Sequence, residues 1–262
     1  MLELKTSFLI FFLRRFNFMK KYLFCTMLFM LCVGALAGAR QYNREDFLLE
    51  DRSRSKSRDI DYAFQILSTY KRYWQGSYRF APSKQLKITV MPSVSALQKL
   101  AGVHHLIGGW YTASGVFIQP LDVLRKVGML ERVLFIELAH HYIQEYTAGN
   151  CPGWWDELMA LDNWHVYQGS LPDPLSGTVN WNYSQLSRIN SFVGKTAKSQ
   201  DFFSFLENFA FFLKKKYSPK ILQQIMEQLR RQVPLEEAFY VRTGERLEKE
   251  YEDFKGASRR WR

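Results

Sequence analysis

The sequence predicts an α+β protein that is mainly helical, with a small antiparallel or mixed sheet before an all-helical C-terminal part. Apolar residues recur at helical spacing along most of the chain, while alternating β-branched segments are confined to residues 86–119. After a polar stretch rich in glycine, proline, serine and asparagine at 169–182, every periodic segment is helical. With 47% hydrophobic residues, a chain of 262 residues has ample material for a buried core.

Residues 1–39 have the composition of an export signal. Lysines at 20 and 21 precede an uncharged run that ends at Ala37, and residues 37–39 fit the small-x-small cleavage rule. The alternative is that 8–37 stays in the membrane as an anchor, although two basic pairs interrupt that run. Both interpretations predict an exported protein that is periplasmic or membrane-associated.

The rest of the chain is basic. Residues 1–39 contain five basic residues and one acidic residue, so 31 basic and 24 acidic residues remain after them. Six basic and four acidic residues lie in 40–58, which predicts a solvated polar linker, with contact to a membrane surface of anionic lipid as the functional alternative. No motif that combines basic and aromatic residues accompanies the charge, so nucleic acid is not expected as a partner. Cys151 is the only cysteine after residue 39, so no internal disulfide can form.

Strands are predicted where β-branched residues alternate with polar ones. The segment 86–91 alternates in this way and ends at Pro92. The segments 109–113 and 115–119 predict a hairpin, which ends at Pro120.

Helices are predicted where apolar residues recur three or four apart. Ser93 is a suitable N-cap for the second helix, Gly128 separates the third from the fourth, and Pro152 precedes the fifth. After the polar stretch, Pro219 and Pro234 mark the starts of new helices. The predicted helices are 60–74, 94–100, 121–127, 129–146, 154–167, 183–193, 199–217, 219–231, 235–243 and 247–254.

The helix predicted over 129–146 carries a motif related to a zinc site. In H-E-x-x-H, two histidines four residues apart project from one helix face and bind the metal, and the glutamate between them is the general base. The corresponding residues are Ile136, Glu137 and His140, and Glu157 on the next helix occupies the position of a carboxylate third ligand. Ile136 has no lone pair, so the first ligand is missing.

Other residues are candidates to replace that ligand. His104 and His105 precede the hairpin, and Cys151 lies between the two helices. His141 is about 100° around its helix from the motif histidine, and His165 is about 12 Å along the next helix from the third-ligand position. None of them has the spacing of a ligand set, which favours structural roles for all five.

Residues 85–255 resemble the peptidase MA-like proteins, a gluzincin family whose sequences run strand, hairpin, H-E-x-x-H helix and then P-x-W-x-x-E-G. The segment 151–157 resembles the part that delivers the third ligand. The segment 115–120 resembles the edge strand, which in gluzincins lines the cleft and pairs with an extended peptide. The chain departs from the family at Ile136, where the family has histidine, and at Leu158, where it has glycine.

The resemblance implies a domain organisation and a cleft. A zincin-type two-helix core with a small sheet is expected over 59–170, followed by a C-terminal helical subdomain over 171–262. The residues expected to form the cleft are Gly115, Val116, Phe117, Ile118, Trp154 and Trp155.

Together these features predict an exported pseudopeptidase that binds a peptide or an envelope protein in the former substrate cleft. Glu137 is then a vestigial general base, and His140 and Glu157 are vestigial metal ligands. Without a cation, the like charges of Glu137 and Glu157 are expected to raise at least one of their pKa values and to favour a shared proton or a hydrogen bond to His140. No cofactor is expected, and zinc only if a replacement ligand exists. The alternatives are an active zinc-dependent peptidase with an unusual ligand and a membrane-associated envelope structural or assembly protein.

Overall fold

The computed structural model of the protein describes residues 39–102, 108–175, 182–188 and 199–258. The expected export signal or anchor lies outside these residues except for Ala39, and so do His104 and His105. Within the described part, no helix is both long enough and apolar enough to cross a membrane. Residues 41–262 belong to a single compact unit, which includes both the expected core and the expected C-terminal subdomain.

The predicted fold class is confirmed: the protein is α+β, 61% helical, with a small mixed sheet. The strands are β1 (Arg40–Arg44), β2 (Phe47–Asp51), β3 (Leu86–Val90), β4 (Gly109–Thr112) and β5 (Gly115–Ile118). The helices are α1 (Ser57–Tyr78), α2 (Val94–Ala101), α3 (Leu121–Lys126), α4 (Leu130–Tyr146), α5 (Gly153–Gln168), α6 (Tyr183–Leu186), α7 (Ser199–Lys216), α8 (Ile221–Arg230), α9 (Leu235–Thr243) and α10 (Leu247–Ser258).

The sheet has the strand order β1-β2-β3-β5-β4. Strand β3 pairs in parallel with both β2 and β5, while β4 and β5 form an antiparallel hairpin. Leu49, Ile88 and Val116 stand in register across three neighbouring strands and are buried. Because alternate residues of a strand point to the same face, this row forms the apolar side of the sheet.

The expectation of a polar linker over 40–58 is wrong, since β1 and β2 occupy 40–44 and 47–51. Phe47 and Leu49 face the core, but the segment is highly charged and lacks a regular alternation of apolar and polar residues. The acidic residue Glu50 has partners: its carboxylate pairs with Arg52 at 2.6 Å and Lys87 at 2.8 Å. Pairing with β3, whose residues come 39 positions later in the chain, is what makes this segment a strand.

Two packed helices, α4 and α5, form the centre of the protein. Helix α4 is buried on most of its sides, because α1 packs against it on one side, the β4–β5 hairpin on another and α5 on a third. Helix α7 then covers α5, and Phe205 and Phe209 of α7 are buried in the same core. These neighbouring elements therefore hold both central helices in place, which fixes the side chains that the two helices present to one another.

The helix predicted over 183–193 is shorter in the structure. Helix α6 begins after the N-cap Asn182, whose side chain and that of Gln185 form a reciprocal capping box. The helix ends at Leu186, where the buried leucine side chain closes its apolar face. Of the residues after Arg188, those up to 198 lie outside the described part.

Candidate functional site

The N-terminal part of α5 and the middle of α4 meet at the bottom of an open cleft of about 1550 Å³. Helix α4 contributes Ile136, Glu137 and His140, and α5 contributes Asp156 and Glu157. Strand β4 forms one wall. The sequence motif therefore lies on the surface of a large cleft, although most of its side chains are nearly buried.

The imidazole of His140 lies between two carboxylates. Its Nδ1 is 3.1 Å from Asp156 Oδ1, and its Nε2 is 3.6 Å from Glu157 Oε2. The ring of Tyr111 stacks over it with 6.1 Å between the ring centroids. Burial alone lowers the pKa of His140, but Asp156, Glu157 and Glu137 outweigh that effect and raise the pKa to about 10. At neutral pH the ring is a cation, with a proton on each nitrogen.

Glu137 occupies the general-base position of the motif, but its environment favours the protonated form of its carboxyl group. Burial raises its pKa to about 8; the charges of Glu157 and Asp156 add to this rise, while His140 and the Tyr111 N–H, which donates to the carboxylate, act against it. An ideal Cβ placed on Gly109 would stand 2.5 Å from Glu137 Oε1, so only glycine lets the carboxyl group lie this close to β4.

The expected rise in the pKa values of the two glutamates is confirmed in direction, but its cause is different. Burial is the main cause for both residues, and the charge of Glu157 is a secondary cause for Glu137. Asp156 lies closer to the His140 ring than Glu157 does, although Asp156 is not part of the motif. Gln144 holds that aspartate in place by donating a 2.8 Å hydrogen bond to Asp156 Oδ2.

Ile136 stands one helical turn before His140, packs against the core and lines the cleft. No group of three or more histidines, cysteines, aspartates and glutamates among the described residues has an arrangement that could hold a metal ion. A zinc ligand must offer a lone pair, and the isoleucine side chain offers none. The first-ligand position of the motif therefore cannot bind zinc.

Of the candidate replacement ligands that the structure describes, His141 and His165 do not line the cleft. Cys151 lines the cleft, but burial raises the pKa of its thiol, so it is not a thiolate. Burial lowers the pKa of His141, whose ring packs beside Tyr142. His165 contacts Ser170 Oγ through Nδ1 at 2.9 Å and Glu207 through Nε2 at 3.2 Å, at the C-terminal end of α5.

The expected cleft residues do not form the cleft. Strand β5 is interior, since it pairs with β3 on one side and β4 on the other, and Val116 and Ile118 face the core. Gly115 and Phe117 also stay outside the cleft lining. Trp154 and Trp155 are 1% and 0% exposed, so they are core residues and not cleft wall. Both tryptophans follow the turn into α5 and point away from its charged face.

The edge strand is instead β4, the first strand of the hairpin. Gln119 N–H donates to Gly108 O at 3.0 Å, and antiparallel pairing alternates from there, so Gly109 and Tyr111 direct their N–H and C=O groups away from β5. The Glu137 carboxyl group accepts a hydrogen bond from the Tyr111 N–H. Within the described part of the chain, no further strand pairs with this edge.

Asp156 and Tyr111 are thus the site residues that sequence reasoning missed. Asp156 directly precedes the third-ligand position in the first turn of α5, where a carboxylate is favoured by the helix dipole. The helix dipole is enough to explain an acidic residue at this position, so the sequence alone does not mark Asp156 as part of the site. Tyr111 lies in the predicted hairpin, and its stacking over His140 is what gives it a place in the site.

Comparison with protein-family models and with curated proteins finds no match for this sequence. The resemblance to the gluzincins therefore stays a prediction that rests on the quoted motifs.

Proposed function

We propose that this is an exported, gluzincin-like protein with a degenerate zinc site, and that it binds an extended peptide or a segment of a partner protein in its cleft without cleaving it. The observation that carries the proposal is Ile136 at the first-ligand position, one helical turn before His140, whose ring lies between Asp156 and Glu157. The motif thus lacks one of the two nitrogen ligands that would hold zinc.

The charge balance of the site supports this proposal. In a zinc peptidase the cation neutralises the surrounding carboxylates and activates a water molecule. Here the imidazolium of His140 supplies the positive charge, and Glu137 keeps its proton at neutral pH. A protonated carboxyl group cannot accept the proton of an attacking water, so the side chains that would perform hydrolysis are in the wrong ionisation states.

The outer edge of β4 supports peptide binding, because no other described strand pairs with it and, of the backbone groups that Gly109 and Tyr111 direct there, the Tyr111 N–H is the one that Glu137 accepts from. A sheet edge with unpaired backbone groups accepts an extended segment as an additional strand, and the hydrogen bonds are made by main chain on both sides. Gly109 and Tyr111 direct their carbonyl groups towards this edge, next to the cleft. The peptide would lie between β4 and the beginning of α5.

Zinc content of the purified protein tests the first half of the proposal. We expect mass spectrometry to find no stoichiometric zinc in the native chain, and to find zinc in Ile136→His, in which a second imidazole can draw the His140 proton away. Ile136→Leu is the matched control and should stay without zinc. Stoichiometric zinc in the native chain, together with peptidase activity lost in Glu137→Gln, would contradict the proposal and favour an active peptidase.

A further inference from the structure

The cleft is acidic although the chain as a whole is basic. Among the described residues that line it, lysine and arginine occur only twice, and each is already paired: Lys84 with Glu145 at 2.9 Å and Arg132 with Glu207 at 3.0 Å. His140 is matched in the same way by Asp156. The acidic residues of the lining are Glu137, Glu145, Asp156, Glu157, Asp173 and Glu207.

Two of these acids have no close ion pair with a lysine or arginine among the described residues of the lining. Asp173 is exposed, and Glu157, which is nearly buried, has His140 Nε2 at 3.6 Å as its cationic contact. A basic group that entered the cleft beside Glu157 would therefore meet more carboxylates than the described lining balances with positive charge.

The cleft also has a place for the alkyl part of a long basic side chain. Ile136 and the ring of Tyr111 line it next to Glu137 and His140, and Met129 and Val133 continue the apolar surface along α4. Lysine and arginine bury their methylene groups against such surfaces while the charged end stays with polar partners. A bare metal or small inorganic cation would leave this apolar surface and the β4 edge unused.

We propose that the peptide bound by the cleft is basic: its main chain pairs with β4, and a lysine or arginine side chain extends to Glu157. This inference rests on the proposed peptide-binding function and adds the chemical class of the partner. Charge complementarity is the argument for this occupant, since an acidic segment would meet an excess of carboxylates. The same excess disfavours nucleic acid and phosphate as ligands of the cleft.

Fluorescence anisotropy with blocked seven-residue peptides tests the proposal on the full chain. The peptides alternate threonine and valine and carry lysine, norleucine or glutamate at the central position, so that they differ only in charge at similar length. We expect the lysine peptide to bind at least tenfold more tightly than the norleucine peptide, and the glutamate peptide to bind most weakly. The preference for lysine should shrink as salt is raised.

Two variants separate the cleft from general charge. Glu157→Gln should reduce the lysine preference, which is the ratio of the affinities for the lysine and norleucine peptides, several-fold. Asp122→Asn removes an exposed carboxylate on α3, outside the cleft, and should change neither affinity. An equal effect of the two variants would overturn the proposal, because the preference would then come from the net charge of the protein. Thermal unfolding of each variant confirms that it is folded.

A lysine peptide that is N-methylated on alternate residues separates this inference from the proposed function, because it keeps its charge but cannot form one side of a strand ladder. We expect it to lose binding. If the lysine and norleucine peptides bind equally well and N-methylation abolishes both, strand pairing stands and the basic preference is overturned. If the methylated lysine peptide binds as well as its parent, the pairing with β4, and with it this inference, is overturned. If no peptide binds, the peptide-binding function fails and this inference fails with it.

Discussion

His140 is the residue whose ionisation decides what the site can do. Its ring is enclosed by Asp156 and Glu157 from α5, by Glu137 from its own helix and by Tyr111 from β4. The three acids hold the ring as a cation, and Tyr111 shields it from water. A histidine in this state is a structural cation, and its role resembles that of the metal it would otherwise bind.

The stability of the protein should fall as pH rises through the neutral range. The pKa of His140 is raised from 6.5 to about 10, so the folded state binds the extra proton between these values. The stabilisation is complete below pH 6.5 and is lost as pH rises towards 10, at a slope of up to about 1.4 kcal/mol per pH unit. Glu137 adds a slope of the same sign between 4.5 and about 8, because its raised pKa also favours the protonated folded state.

Urea unfolding between pH 6 and 9.5 measures this slope, with Asp156→Asn as the comparison. The variant removes the partner of His140 Nδ1, so we expect its stability to depend less steeply on pH. Parallel profiles for the two proteins would show that the ion pair with Asp156 does not hold the proton.

Glu137→Gln should change the stability at pH 7 by less than about 1 kcal/mol. Glutamine has nearly the shape of the protonated carboxyl group, and it keeps an oxygen that can accept from the Tyr111 N–H. Above pH 8 the variant should become more stable than the native chain, because glutamine avoids the ionisation of a buried acid. A loss of more than about 2 kcal/mol at pH 7 in denaturant unfolding would mean that Glu137 is ionised in the folded protein.

At the scale of elements, the β4–β5 hairpin determines which backbone faces the cleft. Strand β5 takes the interior position because Val116 and Ile118 are both apolar and β-branched, and they fill the row that Leu49 and Ile88 begin. Strand β4 offers Gly109 at the place where Glu137 approaches. Because Gly109 has no side chain, it leaves room for the Glu137 carboxyl group. It also leaves the edge strand β4 with little side chain above the cleft.

Gly109→Ala should destabilise the protein by about 1–3 kcal/mol, because the new methyl group overlaps Glu137 and forces the strand or the carboxyl group to move. Gly76→Ala is the matched control. Gly76 lies in α1 with open space at its Cβ position, so the change should leave stability unchanged or raise it by up to about 1 kcal/mol. Chemical unfolding of both variants checks the difference; equal effects would contradict it.

The α4–α5 turn is hydrogen-bonded to the turn between α8 and α9. Asn150 Nδ2 donates to Leu229 O and Val233 O at 3.0 Å each, and Gln232 Nε2 donates to Thr147 O at 3.0 Å. This contact connects the helices that carry the site to the C-terminal helices. It also holds the beginning of α5, and therefore Asp156, in position.

Asn150→Ala should lower the free energy of unfolding by about 1–3 kcal/mol, since it removes the side-chain donor to Val233 O and one of the two donors to Leu229 O. We expect faster amide hydrogen exchange in the first turn of α5 as well, because that turn follows directly after Asn150. Unchanged exchange there would contradict a role of this contact in positioning α5.

At the scale of the whole molecule, the C-terminal helices are part of the same core as the site. Phe205 and Phe209 of α7 are buried, and Lys214 of α7 pairs with Asp162 of α5 at 2.7 Å. The buried carboxylate of Glu250 is paired with Lys216 at 2.7 Å, which connects α10 to α7. The change in composition near residue 170 therefore lies inside one compact unit.

A fragment that ends at residue 170 should not fold cooperatively. It would expose the face of α5 that α7 covers, and no other described element is available to bury it. Circular dichroism during thermal unfolding should show a single transition for the full chain and none for the fragment. A cooperative transition in the fragment would make the first part an independent domain.

The sequence by itself determined the helices and the placement of Glu137 and His140 on one helix, because helical periodicity is a local property. It also determined that Ile136 cannot bind a metal, since this follows from the chemistry of one side chain. Only the tertiary structure decided that 40–58 contributes strands and that β4, not β5, is the edge of the sheet. It also decided that Asp156 and Tyr111 complete the site around His140. These features depend on pairing and burial between segments distant in sequence, and no local pattern records which partners will meet.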